Sequence, residues 1–486
     1  MTDVFRLFSQ HPEWKKILFL LDREESVPVC ARLIHLQKAE ECAVITSRRL
    51  AGLFREALLE KDVPVAFLRP GDEIPFSADE EGSVLFFDRS GETLFDCLPR
   101  NVRHVTGVVN DEFTAPFAVW ERFRENAATV DVISYEKGVP MRALHWTRPK
   151  SGVELSVIFP VYNVAPYLEK CIRTVTEWQA PYVEFLFVDD GSPDNSAEII
   201  ESYAAKDPRI RLIRKENGGC ASARQKGLEE ARGGYVGFID PDDFVDPTLF
   251  PKLLQAAMIG SYEIAFAGYN EYYESTGTSR PVEEPVLGDP YCYGVTDPKA
   301  IVDLITYLRV AIWRGIYSRT LLKRGGIHFY TDIRRFDDLI YKMEVYAYAK
   351  SVICVPEHLY YYRMNRPGQD VAANDERLYV HFPIFSYLDA TYRKIDDADH
   401  YKALQICKLF THIYAVQKLK PEFLKEYCRR ARADFRSLFS YRDSKRLFRL
   451  TMARGQRRYF RWIYHGFTPG LRLLKARFDR RQRKNA

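Results

Sequence analysis

The sequence predicts an α/β protein with a central sheet domain, a second parallel α/β domain before it and a helical, basic region after it. Three observations lead to this prediction. Short uninterrupted apolar runs alternate with helix-like segments to about residue 370, as in strands covered on both faces. Strand signals then stop, and Lys and Arg accumulate toward the C-terminal end. We expect three domains, at 1–150, 151–370 and 371–486.

The bulk composition is that of a globular protein. Its 486 residues fit about three domains of ordinary size, and 46% hydrophobic residues can form several cores. Because no uncharged apolar run reaches 18 residues and the start "MTDVFRLFSQHPEWKK" lacks the pattern of a secretory signal, we expect neither a membrane span nor a leader. The nine cysteines include no C-x-x-C pair, which indicates reduced thiols in a cytosol.

Residues 1–150 contain six apolar runs that we interpret as the strands of a parallel sheet. No G-x-G-x-x-G follows the first run, so a dinucleotide site of the usual kind is not supported. We predict a Rossmann-like accessory domain for docking, a protein partner or homo-oligomer contacts, with a second active site as the alternative. Residues 145–152, "HWTRPKSG", are interpreted as a linker. The runs lie at 17–22, 42–46, 63–68, 83–88, 104–109 and 129–135.

In the central segment a polar motif follows each predicted strand. The strands are "ELSVIF", "VEFLFV", "IRLI" and "YVGFI"; the motifs are "PVYN", "VDDGSPDNS", "NGGCASARQKG" and "DPDD". Ligands bind beyond the carboxyl ends of parallel strands, so these four motifs should meet at one rim. Their acidic oxygens suit Mg²⁺ or Mn²⁺, and that cation suits a diphosphate.

The stretch "YVGFIDPDDFVDP" (235–247) places four aspartates within seven residues, directly after an apolar strand. Carboxylates this close repel one another and lose hydration when they are buried. Another group must therefore compensate the charges of this cluster.

Four stretches resemble, in order, the motifs of family 2 glycosyltransferases of the GT-A fold. They are "SVIFPVYNVAPYLEKCIRTV", "VDDGSPDNS", "ENGGCASARQKGLEEARGGYVGFIDPDDFVDP" and "FDDLIYKM". The resemblance spans about 153–370 and does not extend to residues 1–150. It implies inverting transfer of a sugar from a nucleotide-diphosphate sugar, usually a UDP-sugar, to a hydroxyl acceptor, with Mn²⁺ or Mg²⁺ as the cofactor.

The resemblance also assigns residues to the donor. Pro160 and Tyr162 would line the base and ribose pocket, and Asp189 or Asp190 would accept the uracil N–H. The remaining assignments are Asn163 and Asn217 at the nucleotide sugar, Arg224 at the phosphates, Asp240 at the ribose, and Asp242 at the metal that bridges the phosphates.

The catalytic assignment rests on "FDDL" (336–339), which stands where the family commonly has "ED". Asp337 occupies the position of the glutamate, and Asp338 that of the general base. Leu339, Ile340 and Met343 should face the core and anchor the start of a helix. Asp337 is expected to act as a helper or as a helix-start residue.

Purely structural roles for these acids remain open. Asp189 and Asp190 could only initiate a turn, Asp242 and Asp243 could cap a helix, and Asp337 could favour a helix N-terminus. A nucleotidyltransferase is a rival, but it would have a Gly- and Arg-rich loop after the first strand. A non-catalytic nucleotide-sugar-binding scaffold is another.

Residues 445–486 carry fourteen Lys or Arg and one acid, Asp479, a balance of +13, whereas the whole chain carries +5 and the remainder therefore −8. Such a tail implies an anionic partner. Its mixture of aromatic and basic residues favours an anionic membrane surface, with nucleic-acid binding and a solvated or packed basic helix as alternatives. Family members in bacteria often extend surface polysaccharides, such as capsule, on lipid carriers. We therefore expect a cytoplasmic enzyme, peripheral on the inner membrane face, that needs no nucleic acid.

Overall fold

The structure is a computed structural model that describes 152–259, 262–284, 293–365, 373–473 and 476, together with the backbone of seven strands before residue 152. The chain forms two compact units, one containing Met1–Gly152 and the other Val153–Leu254 with Tyr262–Ala486.

The first unit contains a seven-stranded sheet in the order β3-β2-β1-β4-β5-β6-β7. The first six strands pair in parallel, as the apolar runs predict. The last strand, β7, is antiparallel to β6 and was not predicted; it includes the first three residues of the expected linker. The strands are β1 (Lys16–Leu21), β2 (Glu41–Thr46), β3 (Val65–Leu68), β4 (Ser83–Asp88), β5 (His104–Asn110), β6 (Thr129–Glu136) and β7 (Val139–Thr147).

The second unit is built on a ten-stranded mixed sheet. Strands β10, β9, β8 and β11 are parallel in that spatial order, and the sheet continues through β16, β13, β17 and β12 with mixed directions. Two short strands, β14 and β15, pair with β13 and β17. The strands are β8 (Leu155–Val161), β9 (Val183–Asp189), β10 (Ile210–Arg214), β11 (Tyr235–Phe238), β12 (Phe244–Val245), β13 (Ile264–Tyr273), β14 (Thr278–Pro281), β15 (Tyr293–Val295), β16 (Gly315–Ser318) and β17 (Val352–Met364).

Helices connect these strands and then continue alone. They are α1 (Ala165–Thr176), α2 (Ser196–Ala204), α3 (Cys220–Glu230), α4 (Leu249–Ile259), α5 (Pro298–Tyr307), α6 (Arg319–Gly325), α7 (Asp337–Tyr348), α8 (His381–Ile395), α9 (Ala398–Lys418), α10 (Leu424–Phe435), α11 (Tyr441–Thr451) and α12 (Arg454–His465), with 3₁₀ helices at Ile312–Arg314 and Glu376–Val380. The predicted helical C-terminal region is confirmed. Within the described residues, no helix is both long and apolar enough to cross a membrane.

Close packing fixes α3 against strand β8. A Cβ added to Gly227 would lie 2.4 Å from Cγ2 of Ile158, so only glycine permits this approach. Arg224 lies one turn earlier on the same buried face of the helix. The contact therefore holds Arg224 near the end of β8, at the rim of the sheet.

The C-terminal helices join the sheet domain through a shared core. Phe385 and Leu388 of α8 belong to the same cluster as Ile340 and Met343 of α7. A second cluster lies among the later helices and includes Leu409, Tyr427, Phe435, Phe460 and Ile463. The start of α7 is therefore fixed by packing from both the sheet and the helical region.

Candidate active site

The polar motifs lie where neighbouring parallel strands end. In the sheet register, Val161 of β8 faces Asp189 of β9, and Asp189 also faces Arg214 of β10. Phe238, the last residue of β11, faces Ile158 of β8. The four loops therefore leave the same rim, as parallel pairing requires.

The loop after β8 combines a buried and an exposed residue. Pro160 lies within the fully buried strand, whereas the Tyr162 side chain is 49% exposed. Asn163 adopts positive φ, and its backbone N–H donates to Ser192 Oγ at 3.2 Å. The turn thus presents the Tyr162 ring at the surface of the rim.

Asp189 and Asp190 are both buried, but they have different partners. Asp190 accepts hydrogen bonds from the backbone N–H groups of Gly218 and Gly219, at 2.9 and 2.7 Å, and from Lys215 Nζ at 2.5 Å. Asp189 accepts from the Ser192 N–H at 3.1 Å. Asp190 therefore holds the loop that carries the exposed Asn217, and the two acids are not interchangeable at the rim.

Arg224 bridges two carboxylates that are 97 residues apart in the chain. Its Nη2 lies 2.5 Å from Asp240 Oδ1, and its Nη1 lies 2.7 Å from Asp337 Oδ2. The residue is only 4% exposed. Sequence reasoning placed Arg224 at the donor phosphates and missed this bridge, because no local pattern relates α3 to α7.

The loop after β11 is held by strand β17. Asp243 is fully buried and accepts from the Tyr360 hydroxyl at 2.8 Å and from the Arg363 N–H at 2.7 Å. The carbonyl of Asp242 accepts from Arg363 Nε at 2.6 Å. Burial, followed by the charges of Asp242 and Asp240, raises the pKa of Asp243 well above its ordinary value. Asp243 is thus a structural acid, not the solvated helix cap considered above.

The acids after β11 are oxygen donors of the type that binds a divalent cation. The described residues contain no group of three His, Cys, Asp or Glu arranged to hold a metal. Mg²⁺ is usually bound through one or two carboxylates together with substrate phosphates, so a full protein cage is not required. The negative charges of Asp240 and Asp242 both raise the pKa of Asp243, so the three carboxyl groups interact at short range. Crowded oxygen donors of this type suit a divalent cation.

Helix α7 presents two adjacent acids in different environments. It begins after Phe336, whose φ is 55°, and Leu339, Ile340 and Met343 are buried as predicted. Asp337 is 4% exposed and paired with Arg224, whereas Asp338 is half-buried. Burial, followed by the charge of Asp337, raises the pKa of Asp338 to about 7, although Arg224 opposes the shift. A carboxyl group with this pKa at a rim is suited to accept a proton near neutral pH.

Three ring side chains, those of Trp313, His328 and His358, have structural contacts. Trp313 is 6% exposed and stacks on Tyr360 with ring centroids 4.1 Å apart, so it belongs to the core. The rings of His328 and His358 contact the carbonyls of Gly326 and Val282.

Comparison with known proteins identifies the family to which this mixed α/β domain with acidic loops at one rim belongs. The model of "Glycosyl transferase family 2" matches residues 156–317. The uncharacterized glycosyltransferase EpsJ of Bacillus subtilis is 32% identical over 282 residues, which cover 56% of this chain and 78% of EpsJ. The chain belongs to the family 2 glycosyltransferases, so the resemblance stated from its motifs is confirmed.

Two further comparisons describe the catalytic region. The putative teichuronic acid biosynthesis glycosyltransferase TuaG of Bacillus subtilis is 38% identical over 117 residues, 24% of this chain and 46% of TuaG. The crystal structure of S. aureus TarS 1–349 in complex with UDP-GlcNAc matches with a TM-score of 0.53 and 18% identity, covering 65% of this chain and 92% of that chain. The likeness to TarS confirms the predicted fold class.

We predict that Asp338→Asn stabilises the protein at alkaline pH. The folded state holds the pKa of Asp338 at about 7, above its value of about 4 in an unfolded chain. Stability contributed by the protonated form is therefore present below pH 4 and lost as pH rises through 7. At pH 8 the variant should exceed the wild type by about 1–3 kcal/mol in the free energy of unfolding; the gain should fall to about a third of that value at pH 5 and vanish below pH 4.

Urea unfolding at both pH values measures this difference. The control is Asp303→Asn, because Asp303 is exposed and lies on α5. A variant less stable than the wild type at pH 8, or an equal gain at both pH values, would contradict the assignment.

Proposed function

We propose that this chain is a metal-dependent inverting glycosyltransferase that moves a sugar from a UDP-sugar to a hydroxyl of a glycan or lipid-linked acceptor in bacterial surface polysaccharide synthesis. One observation carries the proposal: Arg224 joins Asp240, in the acidic loop after β11, to Asp337, whose neighbour is the half-buried Asp338 of raised pKa. Family membership and the teichuronic acid role in the name of TuaG support the polysaccharide assignment.

The donor nucleotide would bind at the loops after β8, β9 and β10. The exposed Tyr162 ring can stack on a base, and Pro160 and Asn163 shape the turn that presents it. Asp189 is the better candidate for the uracil N–H, because Asp190 already accepts from three donors. The exposed Asn217 lies in the loop that Asp190 holds. TarS, which shares the fold, was crystallised with UDP-GlcNAc.

Asp240 would contact the ribose, and Asp242 would hold Mn²⁺ or Mg²⁺. When bound, this cation neutralises the charge that develops on the leaving diphosphate. The backbone around Asp242 is fixed by Arg363 and Tyr360 of β17, so the carboxylate is held in place before the substrate arrives.

Asp338 would take the proton from the acceptor hydroxyl as that oxygen attacks the anomeric carbon. The hydroxyl oxygen forms the new bond, the bond to the diphosphate breaks, and the diphosphate leaves with the electron pair. One base and one displacement invert the configuration without a covalent intermediate. Asp337, held by Arg224, would assist through its position.

The domain at 1–150 would serve docking, a protein partner or homo-oligomer contacts. The catalytic domain would span 151–370, and the helical region 371–486. We place the enzyme in the cytoplasm, peripheral on the inner face of the membrane.

The case for a membrane surface rests on three exposed apolar residues. Much of the aromatic pattern in the tail is explained by packing, since Phe460, Ile463 and Tyr464 are buried. Leu450, Phe467 and Leu473 are 78%, 50% and 67% exposed within the same basic region. Apolar side chains among arginines suit an anionic lipid interface.

Asp242→Ala should lose metal-dependent donor binding and transfer while the protein remains folded. A panel of nucleotide sugars with Mn²⁺ identifies the donor by thermal stabilisation and by release of nucleotide diphosphate. Transfer by the variant should fall roughly 100-fold or more, because its ligand to the cation is gone. Wild-type transfer that persists in a chelator would disprove the metal dependence, and no turnover of any nucleotide sugar would disprove the activity.

Asp338→Asn should lower turnover by roughly 100-fold or more, with donor affinity nearly unchanged, because the amide cannot accept the proton. Asp337→Asn is the matched control: it is expected to lose less turnover. If Asp337→Asn loses turnover and Asp338→Asn does not, the base is Asp337.

A triple variant in which Leu450, Phe467 and Leu473 are each replaced by Asn should bind phosphatidylglycerol liposomes roughly tenfold or more weakly. The reason is that each apolar side chain buried in the lipid interface contributes about 1 kcal/mol or more to binding. Deletion of 445–486 is a poorer test, since it removes core residues such as Phe460. The control is Tyr307→Asn, an exposed aromatic on α5. Binding is measured by co-sedimentation with the liposomes. Equal co-sedimentation of the triple variant and the wild type would exclude these three residues as the membrane-binding surface.

A further inference from the structure

We infer that Arg224 is a positioning residue that joins the donor-side loop to the helix carrying the base, and that it is not a ligand of the donor phosphates. The inference deepens the proposed function and rests on it. Arg224 would support proton transfer to Asp338 indirectly, because its ion pairs hold Asp337 and Asp240 in position.

The geometry of Arg224 leaves little capacity for a phosphate. Each terminal nitrogen is engaged, Nη2 by Asp240 at 2.5 Å and Nη1 by Asp337 at 2.7 Å. Its Nε is buried without a hydrogen-bond partner among the described residues. The side chain is only 4% exposed, so its remaining N–H groups are poorly accessible to a diphosphate, and a diphosphate that displaced Asp240 or Asp337 would leave a buried carboxylate uncompensated.

The surroundings of Arg224 make the bridge rigid. Helix α3 is held against β8 through Gly227, and the guanidinium lies 6.0 Å from the centroid of the Phe329 ring. The planar guanidinium can contact two carboxylates at once, whereas a lysine ammonium is a single point charge. The bridge therefore fixes Asp240 and Asp337 relative to each other.

The bridge also decides which acid can act as the base. Arg224 compensates Asp337, so of the two adjacent acids at the start of α7, Asp338 is the one outside this ion pair. Among its neighbours, Asp337 and Asp240 raise the pKa of Asp338, and Arg224 lowers it. Asp338 also interacts electrostatically with five other titratable groups: Cys220, Tyr317, Lys342, Tyr362 and Tyr414. Removing Arg224 should therefore make Asp338 harder to ionise.

The first test compares Arg224→Met and Arg224→Lys with the wild type in the pH dependence of kcat/KM. Arg224→Met should move the acidic midpoint upward by about one pH unit and lower turnover at pH 7 by about tenfold or more, and Arg224→Lys should fall between. The affinity for UDP with Mn²⁺, measured by calorimetry, should change by less than about threefold. A large loss of UDP affinity with an unchanged midpoint would instead make Arg224 a phosphate ligand and overturn the inference.

A matched control separates positioning from general stability. Arg314, in the 3₁₀ helix at Ile312–Arg314, forms a buried ion pair with Glu284. Arg314→Met should lower the melting temperature without moving the pH midpoint. If Arg314→Met moves the midpoint as far as Arg224→Met does, the effect is general and the inference fails.

The second test does not require turnover, so it remains decisive even if the proposed activity is wrong. The stability difference between Asp338→Asn and its parent, followed against pH, reports where Asp338 titrates. In the Arg224→Met background this midpoint should rise by about one pH unit. In addition, Asp337→Asn should restore part of the melting temperature lost in Arg224→Met, because it removes the unpaired buried charge. An unshifted midpoint, or no recovery, would overturn the inference.

Discussion

Compensation of crowded carboxylates at the rim of the sheet is the constraint on which the site depends. Arg224 compensates Asp240 and Asp337, and donors on β17 satisfy Asp243. Burying any of these acids without a partner would cost several kcal/mol. The sheet, α3, α7 and β17 must therefore all be in place before the rim can exist, and the rest of the catalytic unit serves to hold them there.

Three pairs of adjacent aspartates divide their work in the same way. One acid of each pair, Asp190, Asp243 or Asp337, ties its own segment to a distant segment of the chain through hydrogen bonds or an ion pair. The roles proposed for the donor, the cation and the proton fall to the other acids: Asp189, Asp242 and Asp338. The physical reason is that neighbouring side chains on one backbone leave in different directions, so only one of them can reach a given set of partners. The locked acid then fixes the backbone of its neighbour, which preorganises the site.

Packing explains much of the aromatic composition of the C-terminal helices. Aromatic residues among arginines are typical of an interfacial segment, yet Phe460 and Tyr464 pack in the helical core. Only residues that the core does not use, such as Leu450, remain exposed. Because α8 shares a core with α7, the helical region also supports the helix that carries Asp338.

The sequence by itself determined the positions of the four parallel strands along the chain, the rim at their carboxyl ends, the helical end of the chain and the family, because these depend on local periodicity and on contiguous motifs. It also predicted the buried face of α7 from the spacing of Leu339, Ile340 and Met343. Only the tertiary structure decided the partner of Arg224, the burial of Asp243 and the contrast between Asp337 and Asp338. Each of these depends on segments far apart in the chain, and the charge state of a carboxyl group follows from what surrounds it in space.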